Sequence, residues 1–134
     1  MSIRKINHIA IAVPDLEAAR EKYATLFGVQ PGEIETVADQ QVRLCFFEVG
    51  DSRIELISPL PENKGVNGFL EKRGPGLHHI CLEVDNLEAA LEHYKAAGLR
   101  LIDERPRVGA GGHRIAFVHP GSAEGVLLEL EETG

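Results

Sequence analysis

A chain of 134 residues, 43% of them apolar, is long enough to bury one sizeable core. Its formal charge of −7 excludes a broad basic surface for nucleic acid or anionic lipid, and no stretch approaches the roughly 20 apolar residues of a membrane helix. Cys45 and Cys81 are too few for a disulfide framework and have no metal-type spacing. A reducing cytoplasm is therefore expected, with no targeting segment at the N-terminus.

In chain order, an apolar strand is expected over 9–13, followed by Asp15 as a helix N-cap. Leu16, Ala19, Tyr23 and Leu26 keep helical spacing and Gly28 supplies the stop. Strands follow over 35–37, 42–49 and 53–57. A linker rich in Pro, Gly and Asn spans 59–76, with a short helix over 66–73. A strand over 80–84 then leads through Asp85-Asn86 into a helix carrying Leu87, Ala90, Leu91 and Tyr94 and stopped by Gly98. Strands over 100–104, 114–119 and 126–131 complete the chain.

The second set of elements repeats the first. Sliding the sequence along itself by 71 residues places Ile6-Asn-His-Ile-Ala-Ile-Ala-Val13 on Leu77-His-His-Ile-Cys-Leu-Glu-Val84, with His8 on His79. Nine of the eighteen positions from 6 to 23 are then identical. Arg43 falls on Arg114 and Phe46 on Phe117, and after a three-residue insertion Ile54-Glu55-Leu56 falls on Leu128-Glu129-Leu130. The organisation is a single domain over 1–134 made of two βαβββ modules, one about 1–58 and one about 77–134, joined by the linker.

Strand alternation sorts the polar residues. If Ile9, Ile11 and Val13 pack under the helix, His8, Ala10 and Ala12 face the other way. The same parity sets His79 and Cys81 opposite Ile80, Leu82 and Val84, Glu55 opposite Ile54 and Leu56, and Glu129 opposite Leu128 and Leu130. A mid-strand carboxylate among large apolar residues is costly unless exposed, paired or bound to a cation. Two imidazoles and two carboxylates at equivalent positions are a donor set for Co²⁺, Ni²⁺, Zn²⁺ or Mn²⁺. The metal ligands expected are His8, Glu55, His79 and Glu129.

A βαβββ repeat with His on the first strand and Glu on the last strand of each copy resembles the vicinal oxygen chelate superfamily, which also goes by the names glyoxalase, bleomycin resistance protein and dioxygenase. The resemblance covers essentially the whole chain. It implies an α+β fold in which the modules form a cupped eight-stranded mixed sheet with helices on the convex side. Within that superfamily, His8-Ile-Ala-Ile-Ala-Val, Ile54-Glu-Leu-Ile-Ser-Pro59, Gly76-Leu-His-His-Ile80, Arg107-Val-Gly-Ala-Gly-Gly112, Phe117-Val-His-Pro120 and Gly125-Val-Leu-Leu-Glu-Leu130 resemble the methylmalonyl-CoA epimerases.

That resemblance implies metal-assisted 1,1-proton transfer through an enolate, interconverting the epimers of an acyl-CoA thioester. It implies one divalent ion, Co²⁺ first, and a homodimer, with no nucleic-acid or membrane partner. Glu129 matches a catalytic base. Two positions depart from the pattern: Glu55 stands where some members have Gln, and Leu44 stands where some carry a catalytic Glu. Glu129 and Glu55 are therefore expected to serve the two faces of the enolate. Gly111, Gly112 and Arg114 are candidate substrate contacts, the glycines serving as a close-approach loop or a simple turn. Rival readings are a glyoxalase I-like isomerase or lyase and a metal-free small-molecule binder of the same fold.

Overall fold

The computed structural model describes residues 1–132. They form two compact units, one of residues 8–78 and one of Met1–Asn7 together with the chain from His79 onward. The first strand, β1 (Ile3–Ala12), runs through both.

In the unit of residues 8–78, β1 leads into α1 (Leu16–Phe27). The Asp15 carboxylate accepts the Ala18 N–H at 3.1 Å and Gly28, at φ 65°, closes the last turn, so both ends satisfy backbone groups the helix cannot pair itself. Next come β2 (Glu35–Val37), β3 (Val42–Val49) and β4 (Ser52–Pro59). β3 pairs antiparallel with β2 and β4, and β4 pairs parallel with β1. Helix α1 covers one face, where Leu16, Val13, Cys45, Phe47 and Leu56 form a buried cluster. The linker helix α2 (Lys64–Arg73) starts two residues before the apolar pattern does. Its cap decides this, because Asn63 accepts the Val66 N–H at 2.8 Å while its own amide donates to the carbonyl of Gln40.

In the other unit, β5 (Gly76–Val84) reaches α3 (Leu87–Ala96) through Asn86, whose side chain accepts the Ala89 N–H at 3.0 Å. β6 (Arg107–Val108), β7 (Arg114–Val118) and β8 (Leu128–Glu132) follow. β7 pairs antiparallel with β6 and β8, and β8 pairs parallel with β5. Val84, Leu87, Ala90, Leu91, Ala116, Val118 and Leu130 make the buried cluster beneath α3. Ser2 is tied here by its N–H to Asp85 at 2.7 Å, and the Asn7 amide donates to Glu83 at 3.2 Å.

The eight strands are hydrogen-bonded in the order β2-β3-β4-β1-β5-β8-β7-β6, a mixed sheet in an α+β fold. Among the described residues, no helix is long and apolar enough to cross a membrane.

One expected element does not form. Residues 100–104 make a single bridge, Leu101 to Val118, instead of a strand. Asp103 explains the difference: its carboxylate accepts the Phe117 N–H at 2.9 Å, and the N–H groups of both Ile102 and Asp103 point to the Phe117 carbonyl, so no ladder propagates. The edge strand is taken instead by Arg107-Val108, just beyond Pro106, on the near side of the glycine-rich turn.

The duplication extends to surface charge. Arg43 on β3 pairs with Glu17 on α1, and its hydrogen bonds hold that carboxyl below its ordinary value. At the equivalent positions Arg114 on β7 pairs with Glu88 on α3, with the same effect.

Leu87, fully buried beneath α3, gives a direct test of this packing. Leu87→Ala is expected to lower unfolding stability by about 2–5 kcal/mol, read as a drop in urea midpoint at unchanged slope. A loss below about 1 kcal/mol would be incompatible with a side chain packed on all sides.

Candidate active site

In-register residues of neighbouring strands share a face, so pairing settles which side chains point together. On β1 and β4, His8 stands opposite Arg53 and Ala10 opposite Glu55, which places His8 and Glu55 on one face of that unit. Phe46 of β3 is in register with Glu55 and belongs to the same face. In the other unit, Cys81 is opposite Glu129 and Phe117 is opposite Glu129, so His79, two residues before Cys81, shares that face. The alternation read from the sequence therefore holds in both units: Leu56 and Leu130 lie in the clusters beneath α1 and α3, away from the Glu that precedes each.

Burial distinguishes these groups from ordinary solvated strand residues. His8 is 2% exposed, Glu55 4%, His79 7% and Glu129 5%. A carboxylate so enclosed requires hydrogen bonds or positive charge. Each has an imidazole beside it, with His8 Nε2 3.5 Å from Glu55 Oε1 and His79 Nε2 3.0 Å from Glu129 Oε1.

These spacings also suit a cation. Metal–nitrogen and metal–oxygen bonds of about 2.0–2.2 Å put neighbouring donors about 3.0 Å apart across a right angle and about 3.4 Å apart across a tetrahedral one. Each pair has the length of one edge of a coordination polyhedron. Imidazole nitrogen with carboxylate oxygen is a donor set of the borderline divalent ions. The residues present fit a divalent metal.

The remaining candidates separate clearly. Leu44, 2% exposed and two residues before Phe46 on β3, puts an apolar side chain on the face that carries Glu55. Gly111 and Gly112, at φ 67° and 78°, form the turn between β6 and β7, closed by the Gly109 N–H donating to the His113 carbonyl at 2.8 Å. A methyl group on Gly111 would meet the His113 ring at 3.2 Å. Arg114 stands opposite Glu132, one residue out of phase with the Phe117–Glu129 pair, and so lies on the α3 side of its strands. There Glu132, at 3.0 Å, and Glu88 hold its guanidinium. His119 accepts the Gly121 N–H through Nδ1 at 2.9 Å, a structural cap, and His78 packs edge-on to Phe69 of the linker helix.

Three features of the two faces carried no assigned role in the sequence reading. Phe46 and Phe117 sit against His8 and His79, and their coincidence at the 71-residue offset was a visible signal. Glu131 is 3% exposed on the Glu129 face, foreshadowed only by its two-residue spacing from Glu129. Arg53, over the Phe46 ring, had no signal because its counterpart in the other unit comes from a non-equivalent position.

Comparison with known proteins agrees with this construction. Residues 7–117 match the family described as the glyoxalase/bleomycin resistance protein/dioxygenase superfamily. The ethylmalonyl-CoA/methylmalonyl-CoA epimerase of Cereibacter sphaeroides is 42% identical over 132 residues, 97% of this chain and 98% of that protein. A crystal structure of methylmalonyl-CoA epimerase from Mycobacterium tuberculosis superposes with a TM-score of 0.93 at 36% identity, covering 98% of this chain and 89% of that one. A Streptomyces coelicolor methylmalonyl-CoA epimerase variant in complex with 2-nitronate-propionyl-CoA superposes with a TM-score of 0.91 at 34% identity over 99% of this chain and 96% of its own. With matching elements, matching face parity and near-complete coverage, the chain belongs to the methylmalonyl-CoA epimerase family of the glyoxalase/bleomycin resistance protein/dioxygenase superfamily.

Proposed function

We propose that this protein inverts the carbon between the thioester and the carboxylate of methylmalonyl-CoA, with His8, Glu55, His79 and Glu129 holding one divalent ion and Glu129 and Glu55 moving the proton. The observation that carries the reading is the buried His–carboxylate pair that recurs in each unit, in a chain 42% identical to an ethylmalonyl-CoA/methylmalonyl-CoA epimerase. Co²⁺ is the preferred ion in this reading, and the protein works as a cytoplasmic homodimer.

Inversion is difficult because the α-proton is weakly acidic and the carbanion left behind must be stabilised. A divalent ion held by His8, Glu55, His79 and Glu129 would supply positive charge that acidifies the α-carbon, a contribution of several kcal/mol. The chain's own residues do the rest. Glu129, whose Oε1 stands 3.0 Å from His79 Nε2 as the other donor of that pair, takes the proton at its second carboxylate oxygen. Glu55, the equivalent residue of the other repeat, returns a proton to the opposite side of the planar enolate. Leu44 leaves Glu55 without an acidic neighbour at that position, so the second proton transfer falls to Glu55 itself. The apolar walls Leu44, Phe46 and Phe117 limit water around the carboxylates and strengthen their electrostatic effect.

Four outcomes are expected. Gently purified protein carries about one equivalent of divalent metal by elemental analysis, and a chelator abolishes epimerisation until Co²⁺ is restored. Full activity in metal-free protein would end the metal-centre reading. Glu129→Gln lowers kcat by about 10²–10⁴-fold while methylmalonyl-CoA still binds; a loss below about tenfold would remove Glu129 as the base. For Glu55→Gln with metal bound, solvent deuterium enters one epimer and the rate of crossing to the other collapses. Undiminished washout and epimerisation there would shift the second transfer to another group. Methylglyoxal with glutathione, offered as the competing substrate, is expected to give no turnover.

A further inference from the structure

Each unit carries the same ring-and-charge stack beside its buried imidazole. In the unit of residues 8–78, the Phe46 ring meets the His8 imidazole at right-angle packing, centroids 5.4 Å apart and planes at 70°. The Arg53 guanidinium carbon lies 3.7 Å from the centroid of that same phenyl ring. In the other unit Phe117 meets His79 at 5.6 Å and 85°, and the Arg107 guanidinium carbon lies 5.6 Å from the Phe117 centroid. Both guanidinium distances fall within the range of about 6 Å at which a cation is attracted to a ring face.

The two phenylalanines are repeat equivalents, 71 positions apart, but the two arginines are not. Arg53 lies on β4, the strand beside β3 that also carries Glu55, whereas Arg107 lies on β6, the neighbour of β7 on the side away from β8. Inheritance from one ancestral module therefore explains the rings and leaves the charges unexplained. A guanidinium has been brought to the same ring from two different directions, which points to a requirement at that ring.

The requirement has a physical form. An imidazole that offers Nε2 to a cation must have its plane fixed, and in most metal sites a hydrogen bond from the other ring nitrogen does this. A phenyl ring packed at right angles blocks rotation of the imidazole just as directly, provided that the phenyl ring cannot itself swing away. The arginine over the phenyl ring prevents that. Asp103 is the charge partner of Arg107, its Oδ1 3.3 Å from Arg107 Nε without hydrogen-bond geometry, and its Oδ2 accepts the Phe117 N–H at 2.9 Å, so one aspartate neighbours both the arginine and the residue it covers.

We propose that Phe46 and Phe117 are positioning residues for His8 and His79 as metal ligands, and that Arg53 and Arg107 lock the two rings in place. This rests on the metal-centre reading above. A third stack provides an internal control: Arg73 lies 5.4 Å from the Phe69 centroid and Phe69 packs at 5.1 Å and 73° on His78, a histidine outside the ligand set.

The test is Co²⁺ affinity by chelator competition, together with the visible absorption of bound Co²⁺, in protein whose folding is checked by near-ultraviolet circular dichroism. Phe46→Leu and Phe117→Leu are expected to lose about 10–100-fold in Co²⁺ affinity with an altered spectrum, the size found when groups supporting metal ligands are removed. Arg53→Met and Arg107→Met are expected to lose about tenfold, Arg53→Lys to recover most of it, and Phe69→Leu to bind as the unaltered protein does. Affinity within about threefold of the unaltered protein in both phenylalanine variants, with an unchanged spectrum, overturns the proposal. So does an equal loss in Phe69→Leu, which would mark general loosening. If the phenylalanine variants do not fold, the arginine variants decide by the same criterion. Unaltered protein that binds no stoichiometric Co²⁺ overturns the metal centre and this inference together, whereas normal binding in both it and the variants overturns this inference alone.

Discussion

Two carboxylates taken out of water, each against an imidazole, are the constraint around which both halves of this chain are organised. Glu55 and Glu129 sit in the middle of strands, between apolar neighbours that belong to the helix-covered face, and are almost fully buried. Strand alternation leaves them no other direction to point. A buried carboxylate without compensation costs several kcal/mol, a substantial part of the stability of a domain this size, so the histidine beside each one matters to folding.

The rest of each module supports that arrangement from below. Asp15 and Asn86 start α1 and α3 at equivalent places, and each helix covers the face opposite the histidine with a compact apolar cluster. Glu17 with Arg43, and Glu88 with Arg114, pin helix to strand at the surface. These exposed pairs contribute little energy individually, but the guanidinium of Arg114 is committed to them and faces away from Glu129. The helix-covered faces are thus alike in the two units, and the differences gather on the other faces.

Those differences are chemical. Glu131 adds a buried carboxylate two residues from Glu129, while Leu44 brings an apolar side chain to the face of Glu55. Arg53 and Arg107 reach the phenyl rings from opposite neighbouring strands. Epimerisation needs two groups of matched type whose surroundings differ enough for one to accept a proton when the other gives it up. A duplicated module supplies two buried carboxylates of matched type, Glu55 and Glu129, and divergence has given them different surroundings.

Much of this was legible in the amino-acid order, because repetition and period-two alternation are local properties of a chain. The 71-residue offset exposed both modules, the caps at Asp15 and Asn86 marked two helices, and parity put His8, Glu55, His79 and Glu129 opposite the apolar stripe. Three features depended on contacts between residues distant in sequence. Asp103 turns its carboxylate to the Phe117 N–H and so replaces a strand over 100–104 with the short edge strand at Arg107. Glu132 and Glu88 draw Arg114 to the α3 side. Arg53 and Arg107 meet equivalent rings from non-equivalent positions. In each case a polar or charged side chain had several partners within reach along the sequence, and only the packed strands determined which one it met.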